Sequence, residues 1–384
     1  MLRGGAAPVG RDRLGDRRAL RQCGRAGRGT GIAIPPNGVR ALAAVGLPID
    51  RLVASGSRLR KYRFLDAGGR ELSCGDLTRL WLGANRPYFA VHRRRIYELL
   101  IEALGGQPIE FQNVAELAPD PLPFGQRIVA RINGMSGTRE ETFDLVIGAD
   151  GIRSAMRQAV APSVAPRPLG WMTWRCVLDY EAQEQDAQVV YSGRSGVFLY
   201  IPLGGAQVYV YAACRHASGE EAPSTGQGAA IAARFGAFGV PRALLDAVVA
   251  LPDSAFYAGQ LEEVPYETLI SAGRGRIVLV GDALHACSPN MAQGVSLAAE
   301  DAAVLADMVA RRKSDGLAGL PDRFWRRRLP RIRHVQQFTR KRDDLVNKRA
   351  DSALFHAVSN LVIRLRGIDR MQREAFGFLL EDRA

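Results

Sequence analysis

The stretch Gly281–Gly294, "GDALHACSPNMAQG", directly follows the apolar run "RIVLV" at Arg276–Val280. The run reads as a buried strand, and the residues from about Val295 to Arg312 read as a long helix. An aspartate behind a glycine thus sits where a strand ends, and a glycine-rich bend leads into a helix. A plain structural turn is one reading; a loop that holds a ligand at the strand tip is the other. A second stretch repeats the arrangement. "ETFDLVIGAD" (Glu141–Asp150) is a strand entering a glycine turn, and "GIRSAMRQAV" (Gly151–Val160) starts a helix.

Working outward, "NGVRALAAVGL" (Asn37–Leu47) has helical periodicity and a glycine near its end. "RRRIYELLIEALG" (Arg93–Gly105) repeats that form, with Ile96, Leu99, Leu100 and Leu104 on one apolar face. After Pro162 the character changes. Residues 187–212 are short β-rich runs separated by "SGRSG" and "LGG" turns, which predicts a mostly antiparallel sheet beside the α/β part. Residues 223–248 return to helical composition, and residues 322–350 read as a solvated helix pair broken near Pro330. No internal repeat interrupts this order.

Composition narrows the function classes. A chain of 384 residues that is 47% hydrophobic can build two domains or one large enzyme core. The five cysteines form no CxxC pair and no Cys/His cluster at metal-ligand spacing, so no metal site is expected. They read as reduced thiols, which predicts a cytoplasmic protein. No apolar run is long enough to cross a bilayer, and the charged start is unlike a secretory signal. The net charge of +13 is concentrated at two places. Residues 1–31 carry a net +6 and residues 322–350 a net +8, so the remainder is close to neutral. The second segment has few aromatics to stack on bases, and no nucleic-acid partner is expected.

Three stretches in this order, "VHRRRIYELL", "VIGADGIRSAMR" and "IVLVGDALHACSPNMAQGVSLAAEDAAVL", resemble the flavin-dependent aromatic hydroxylases. These are the single-component FAD monooxygenases related to para-hydroxybenzoate and salicylate hydroxylases. The likeness runs from about Gly31 to the C-terminal helices. It implies an α/β fold: a Rossmann-like FAD-binding core, a mostly antiparallel substrate sheet and C-terminal helices. The corresponding boundaries are 1–30 for an arginine-rich leader, 31–162 and 266–320 for two FAD-binding parts, 163–265 for the substrate sheet and 321–384 for the helices.

The resemblance also implies roles. Asp282 would hydrogen-bond a ribityl hydroxyl of FAD, since a fixed carboxylate accepts from a sugar hydroxyl with charge-assisted strength. Gly281 would let the backbone approach the cofactor. Pro289 would shape the loop beside the isoalloxazine, and Gln293 and Gly294 would present a helix N-terminus to its pyrimidine ring. Asp150 and Gly151 match the Asp-Gly pair near the pyrophosphate and the nicotinamide route. Ser154 would cap the next helix, and Arg157 would either engage phosphate or brace the motif. Arg93 matches a flavin-contacting arginine, with Arg94 and Arg95 facing solvent. His285 is either a general base or structural support for its loop, and support is the better match to the family pattern.

The reaction so implied is hydroxylation of an aromatic or related electron-rich small molecule, using oxygen and transient NADH or NADPH, through a flavin hydroperoxide. Epoxidation or another flavin oxidoreduction is the alternative. The β-rich middle would roof the flavin, with Trp171, Trp174, Tyr191, Phe198 and Tyr200 offering aromatic surface, although alternate members of this set must pack into the core instead, and Tyr200 is taken as a substrate-binding candidate. Arg194 in the "SGRSG" turn would bind a substrate carboxylate or phenolate, or else be a solvated turn residue. No residue is singled out as catalytic. A monomer or homodimer is expected.

One part departs from the pattern. The family's opening strand, GxGxxG turn and helix do not precede "GTGIAIPPNGVRAL", and "GRAGRG" follows no strand. The first βαβ unit is therefore expected to be incomplete, from a shifted reading frame or a misplaced start, with a genuine arginine-rich leader as the alternative that composition favours less. Weak FAD retention, reduced solubility and a truncated, inactive member are the corresponding expectations.

Overall fold

The computed structural model describes residues 30–80, 86–107, 109, 113–119, 127–134, 137–216, 225–311, 316–317, 319–349 and 352–380. The arginine-rich residues 1–29, and the expectations that fall on them, lie outside the described residues.

β-branched and aromatic runs such as "QVYVYA" (Gln207–Ala212) build a seven-stranded sheet. Its order is Tyr257–Glu263, Arg167–Asp179, Gln207–Arg215, Gly196–Gly204, Ala187–Gly193, Lys61–Asp66 and Glu71–Asp76. Neighbours are antiparallel except Ala187–Gly193 and Lys61–Asp66, which run parallel. The sheet thus draws two strands from the segment before residue 162. Successive side chains leave opposite faces. One face, with Trp174, Cys176, Phe198, Tyr200 and Val210, is covered by the helices Gln227–Phe235 and Arg242–Val249. The other presents Leu199, Ile201, Leu203 and Tyr209 to Met291, Leu297 and Val335.

The two glycine-ended strands pair directly. Ile277–Leu279 runs parallel to Val146–Gly148, with Gly273–Arg274 on its far edge. Helices Gly294–Ala310 and Leu320–Arg349 cover this sheet through Val304, Leu305, Phe324 and Ile332. A third sheet pairs Gly31–Ile34 and Ser57–Arg58 with Phe89–His92, all antiparallel. Residues Asn113–Pro119, Ile128–Gly134 and Gly137–Phe143 form an antiparallel meander. Among the described residues, no helix is long and apolar enough to cross a membrane.

Two expectations change here. Residues 320–349 form one helix with Pro330 inside it, rather than a broken pair. Nor is that helix wholly solvated: Arg328, Arg331, Ile332, Val335, Gln336, Thr339 and Asp343 are buried along one face. A proline removes one helical hydrogen bond at a cost of roughly 3 kcal/mol, and this buried face offsets it.

Helix Pro36–Ala44 crosses Gly294–Ala310 closely, because Gly38 has no side chain. A Cβ on Gly38 would collide with the Ser296 side chain and meet Ile34 at 3.0 Å. Gly38→Ala is therefore expected to destabilise the fold by roughly 1–3 kcal/mol through overpacking. Urea unfolding checks this, and a neutral or stabilising result would mean the two helices are not in contact at this point.

Candidate active site

Two loops leave the same, carboxyl end of the parallel strand pair, the place where ligands bind in open α/β sheets. The first begins at Gly281, whose φ of 57° and ψ of −140° suit glycine. Its N–H donates to Asp301 Oδ2 at 2.8 Å, and its carbonyl accepts from Leu284 and His285 N–H. Asp282 opens the short helix Asp282–His285. Its carboxylate is exposed and makes no hydrogen bond to the described residues. The Cys287 thiol nearby is pushed up to about 12, first by burial and then by the Asp282 and Glu263 carboxylates.

The second loop carries Asp150 and Gly151, the latter at a φ of 78°. Asp150 accepts from Ser154 Oγ at 2.6 Å and from Met156 N–H at 3.1 Å. Ser154 in turn accepts from Arg157 N–H at 2.8 Å, capping Ala155–Val160 as expected. Arg157 takes the bracing role of the two envisaged for it. It is buried and donates to the carbonyls of Val164, Ala283 and Ile152 at 3.3, 2.9 and 2.6 Å. Its guanidinium is thereby committed to backbone and ties the Asp150 loop to the Asp282 helix.

Beyond Cys287, a short 3₁₀ turn spans Pro289–Met291 and ends at Ala292 in the left-handed region, φ 52°. A non-glycine residue there is uncommon and marks a constrained bend. Gln293 is fully buried and exchanges amide hydrogen bonds with Asn37, at 2.9 and 3.3 Å. Its side chain anchors the bend and does not cap the helix that follows. The first N–H groups of Gly294–Ala310 are therefore left to face whatever lies before them. A Cβ on Gly294 or on Gly151 would meet nothing within 4 Å.

Arg93 starts the helix Arg93–Ala103, lies 5.4 Å over the Tyr97 ring and pairs with no carboxylate among the described residues. Arg94 and Arg95 both engage Glu98, Arg94 being exposed and Arg95 half-buried.

His285 is buried, with Nε2 2.6 Å from Asp301 Oδ2. Asp301 also accepts from Arg328 Nε at 2.6 Å. The network continues from Arg328 to Glu300 at 2.9 Å, from Glu300 to Arg331 at 2.6 Å, and from Asn37 to Glu300 at 3.0 Å. Burial pushes the Asp301 and Glu300 carboxyls up, but the partners around them outweigh it and hold both below their usual range. His285 is thus a support beneath the loop. The sequence carried a signal for this network: "LAAEDAAVL" sets two carboxylates inside an otherwise apolar helix.

The seven-stranded sheet divides the five aromatics between its two faces, and the substrate candidate Tyr200 falls on the one turned away from the bend. Tyr200, Phe198, Tyr191 and Trp174 lie on the sheet face covered by the two helices, and Trp174 Nε1 donates to Gln227 Oε1 at 2.8 Å. They therefore face away from the Cys287–Ala292 bend. Leu199, Ile201, Leu203 and Tyr209 face it, together with Phe338. Trp171 and Tyr211 lie on the same side. Trp171 Nε1 is a buried donor without a partner among the described residues. Arg194 sits exposed at the tip of the hairpin between Ala187–Gly193 and Gly196–Gly204.

Asp343 was not singled out from the sequence. It is buried on helix Leu320–Arg349 and accepts from Asn290 Nδ2 at 2.5 Å, joining that helix to the 3₁₀ turn. Burial pushes its carboxyl up to about 6 from 3.8, against the pull of Arg342, Ser288 and Asn290 and with a further push from Glu263. The stability linked to this raised group is full below the unfolded value and lost as pH rises through about 6. Asp343→Asn keeps an acceptor for Asn290. It is expected to match the parent at pH 4 and to exceed it at pH 7 by up to about 3 kcal/mol. Urea unfolding of both proteins across that range checks this; curves that stay parallel would refute it.

The residues present fit the flavin end of FAD: a strand-tip carboxylate without a partner among the described residues, a helix N-terminus without a side-chain cap, and two glycines beside open space. The family's pyrophosphate cradle, whose GxGxxG unit the sequence does not show, would fall before Thr30, where no residue is described. Comparison with known proteins agrees. A family model described as an FAD binding domain matches residues 98–339. The chain is 29% identical over 288 residues to the aurachin C monooxygenase/isomerase of Stigmatella aurantiaca, covering 72% of this chain and 70% of that protein. It is 30% identical over 290 residues to a 2-heptyl-3-hydroxy-4(1H)-quinolone synthase of Pseudomonas aeruginosa, covering 72% and 70%. The fold is similar to Klebsiella pneumoniae HpxO, solved with FAD and uric acid, at a TM-score of 0.79 and 20% identity over 91% of this chain and 87% of that one. The chain belongs to the single-component FAD-dependent aromatic hydroxylase and monooxygenase family.

Proposed function

We propose that this chain is an FAD-dependent monooxygenase that hydroxylates a small aromatic or heteroaromatic ring, with NADH or NADPH as the transient reductant. The overall balance is one ring C–H, one O2, one reduced nicotinamide and one proton giving ring C–OH, water and oxidised nicotinamide. The observation that carries the reading is the pair of aspartate loops at one end of the parallel strands, with the Cys287–Ala292 bend that follows the second one packed under an apolar and aromatic sheet face. Bound FAD would supply the two-electron chemistry that activates oxygen.

The protein's part is placement. Asp282 would accept from a ribityl hydroxyl, while Gly151 and Gly294 leave room for close approach. The N-terminus of Gly294–Ala310 would favour negative charge on the reduced pyrimidine ring. Asp150, already committed to its own helix, would shape the nicotinamide route rather than bind through a free carboxylate. Arg93 would add a cation at the flavin edge. Leu199, Tyr209, Tyr211 and Trp171 would hold the substrate ring and exclude water. The indole N–H of Trp171, without a partner among the described residues, suits an oxygen substituent on the substrate ring. That favours an oxo- or hydroxy-substituted heterocycle, in line with relatives whose names specify a quinolone. Arg194 remains a candidate for a substrate carboxylate at the sheet rim.

The test is reconstitution with FAD, followed by NADH or NADPH, isotopically labelled O2 and a panel of quinolones and hydroxybenzoates. One labelled oxygen atom in a ring hydroxyl supports the reading, and an epoxide would support the alternative. Reductant consumption that yields only hydrogen peroxide with every compound would count against hydroxylation. Failure to bind FAD would mark the chain as an inactive member.

A further inference from the structure

Helix Ala353–Arg366 is turned the wrong way round for a surface helix. None of its residues is buried, and its outward side is its most apolar one. Leu354, Val358, Leu361 and Leu365 follow the i, i+4, i+7, i+11 spacing that puts them in one stripe. Their exposures are 72, 49, 54 and 77%. The side turned toward the protein holds Phe355, His356, Ser359, Asn360 and Ile363, all half-buried. Ile363 reaches the cluster around Phe64, Leu72 and Ile368. Contacts along that inner side hold the helix on the body while leaving the leucines outside.

Four large aliphatics in a row differ from the scattered apolar residues normal on a surface. At 100° per residue, Arg364 and Arg366 fall on opposite flanks of the stripe. Residues 352–366 contain no Asp or Glu. An apolar stripe edged by arginines matches an interfacial helix, whose leucines enter the acyl boundary while the guanidinium groups reach the lipid headgroups. We propose that helix Ala353–Arg366 is a docking surface for an anionic lipid bilayer, with the helix lying in the plane of the interface. Charge decides between this occupant and a second copy of the chain. An isologous pair would lay the same stripe on itself, and neither helix would offer a carboxylate to the other's arginines. Arg366 already reaches Glu374 at 2.7 Å, so Arg364 is the principal headgroup cation.

Co-sedimentation with vesicles of phosphatidylethanolamine and phosphatidylglycerol, against vesicles of phosphatidylcholine alone, tests this. The intact chain is expected to sediment with the anionic vesicles at least tenfold more than with the neutral ones, and less as salt rises. The double substitution Leu361→Ser with Leu365→Ser should abolish sedimentation while leaving the thermal midpoint unchanged. Arg364→Glu should weaken it severalfold. Ile270→Ser, at a 96% exposed residue outside the stripe, should leave it intact. Absence of vesicle binding would overturn the proposal, as would binding that survives the double substitution. A concentration-dependent dimer lost in the double variant, without vesicle binding, would assign the stripe to a second copy instead.

Discussion

Arg328→Ala is expected to lower the free energy of unfolding by roughly 3–5 kcal/mol, the range for breaking a buried ion pair from one side. Arg328 is fully buried and bonds Asp301 through Nε at 2.6 Å. It also bonds Glu300 and the Leu297 carbonyl through a second nitrogen, at 2.9 and 3.3 Å. Alanine would leave Asp301 with His285 and the Gly281 N–H, and Glu300 with Arg331 and Asn37. Burial, which already pushes both carboxyls up, would then meet less opposition. Since both are held low in the intact fold, their stabilising contribution is present above the ordinary carboxylate range and is lost as pH falls. The variant should therefore show a weaker acid dependence as well as a lower urea midpoint. It should also bind FAD less tightly, because Asp301 fixes the Gly281 N–H. With total stability for a domain at about 5–15 kcal/mol, a loss of this size leaves a marginal fold. A change below about 1 kcal/mol would indicate that water reaches the network.

What could be read from the sequence follows from what period and spacing encode. Strand, glycine, aspartate and helix are local features, so the loops at Asp150 and Asp282 were legible at their true positions. The phase of the seven-stranded sheet was not. Residues 187–212 are apolar on both alternating sets, because helices cover one face and the Cys287–Ala292 bend lies against the other. Nothing in the strand pattern says which set is which. Alternation requires some of the aromatics to pack into the core without saying which, and Tyr200, a substrate candidate, lies on the far side of the strand it shares with Leu199. Partnerships across long separations were equally hidden. Gln293 finds Asn37 and Asp343 finds Asn290 only after the chain has folded. Pro330 reads as a break because the sequence does not show the buried face that carries its helix through.

Asp282 gives the sharper test of the cofactor assignment, since its carboxylate makes no bond within the described protein. Asp282→Ala is expected to leave the thermal midpoint nearly unchanged, because surface substitutions without a structural partner usually stay within about 0.5 kcal/mol. FAD affinity should fall by an amount equal to one charge-assisted hydrogen bond, ~1–3 kcal/mol, or roughly 5–150-fold in dissociation constant. Asp282→Asn retains an acceptor without the charge, so its loss should be smaller. Turnover of every oxygenation substrate should decline together, and excess FAD should restore part of it. Arg194→Ala should behave in the opposite way, altering substrate preference while flavin affinity holds. Titration of FAD by fluorescence quenching, beside product yield for several substrates, separates the two roles. If Asp282→Ala bound FAD as tightly as the parent and changed turnover of a single substrate, the carboxylate would belong to the substrate pocket rather than to the ribityl chain.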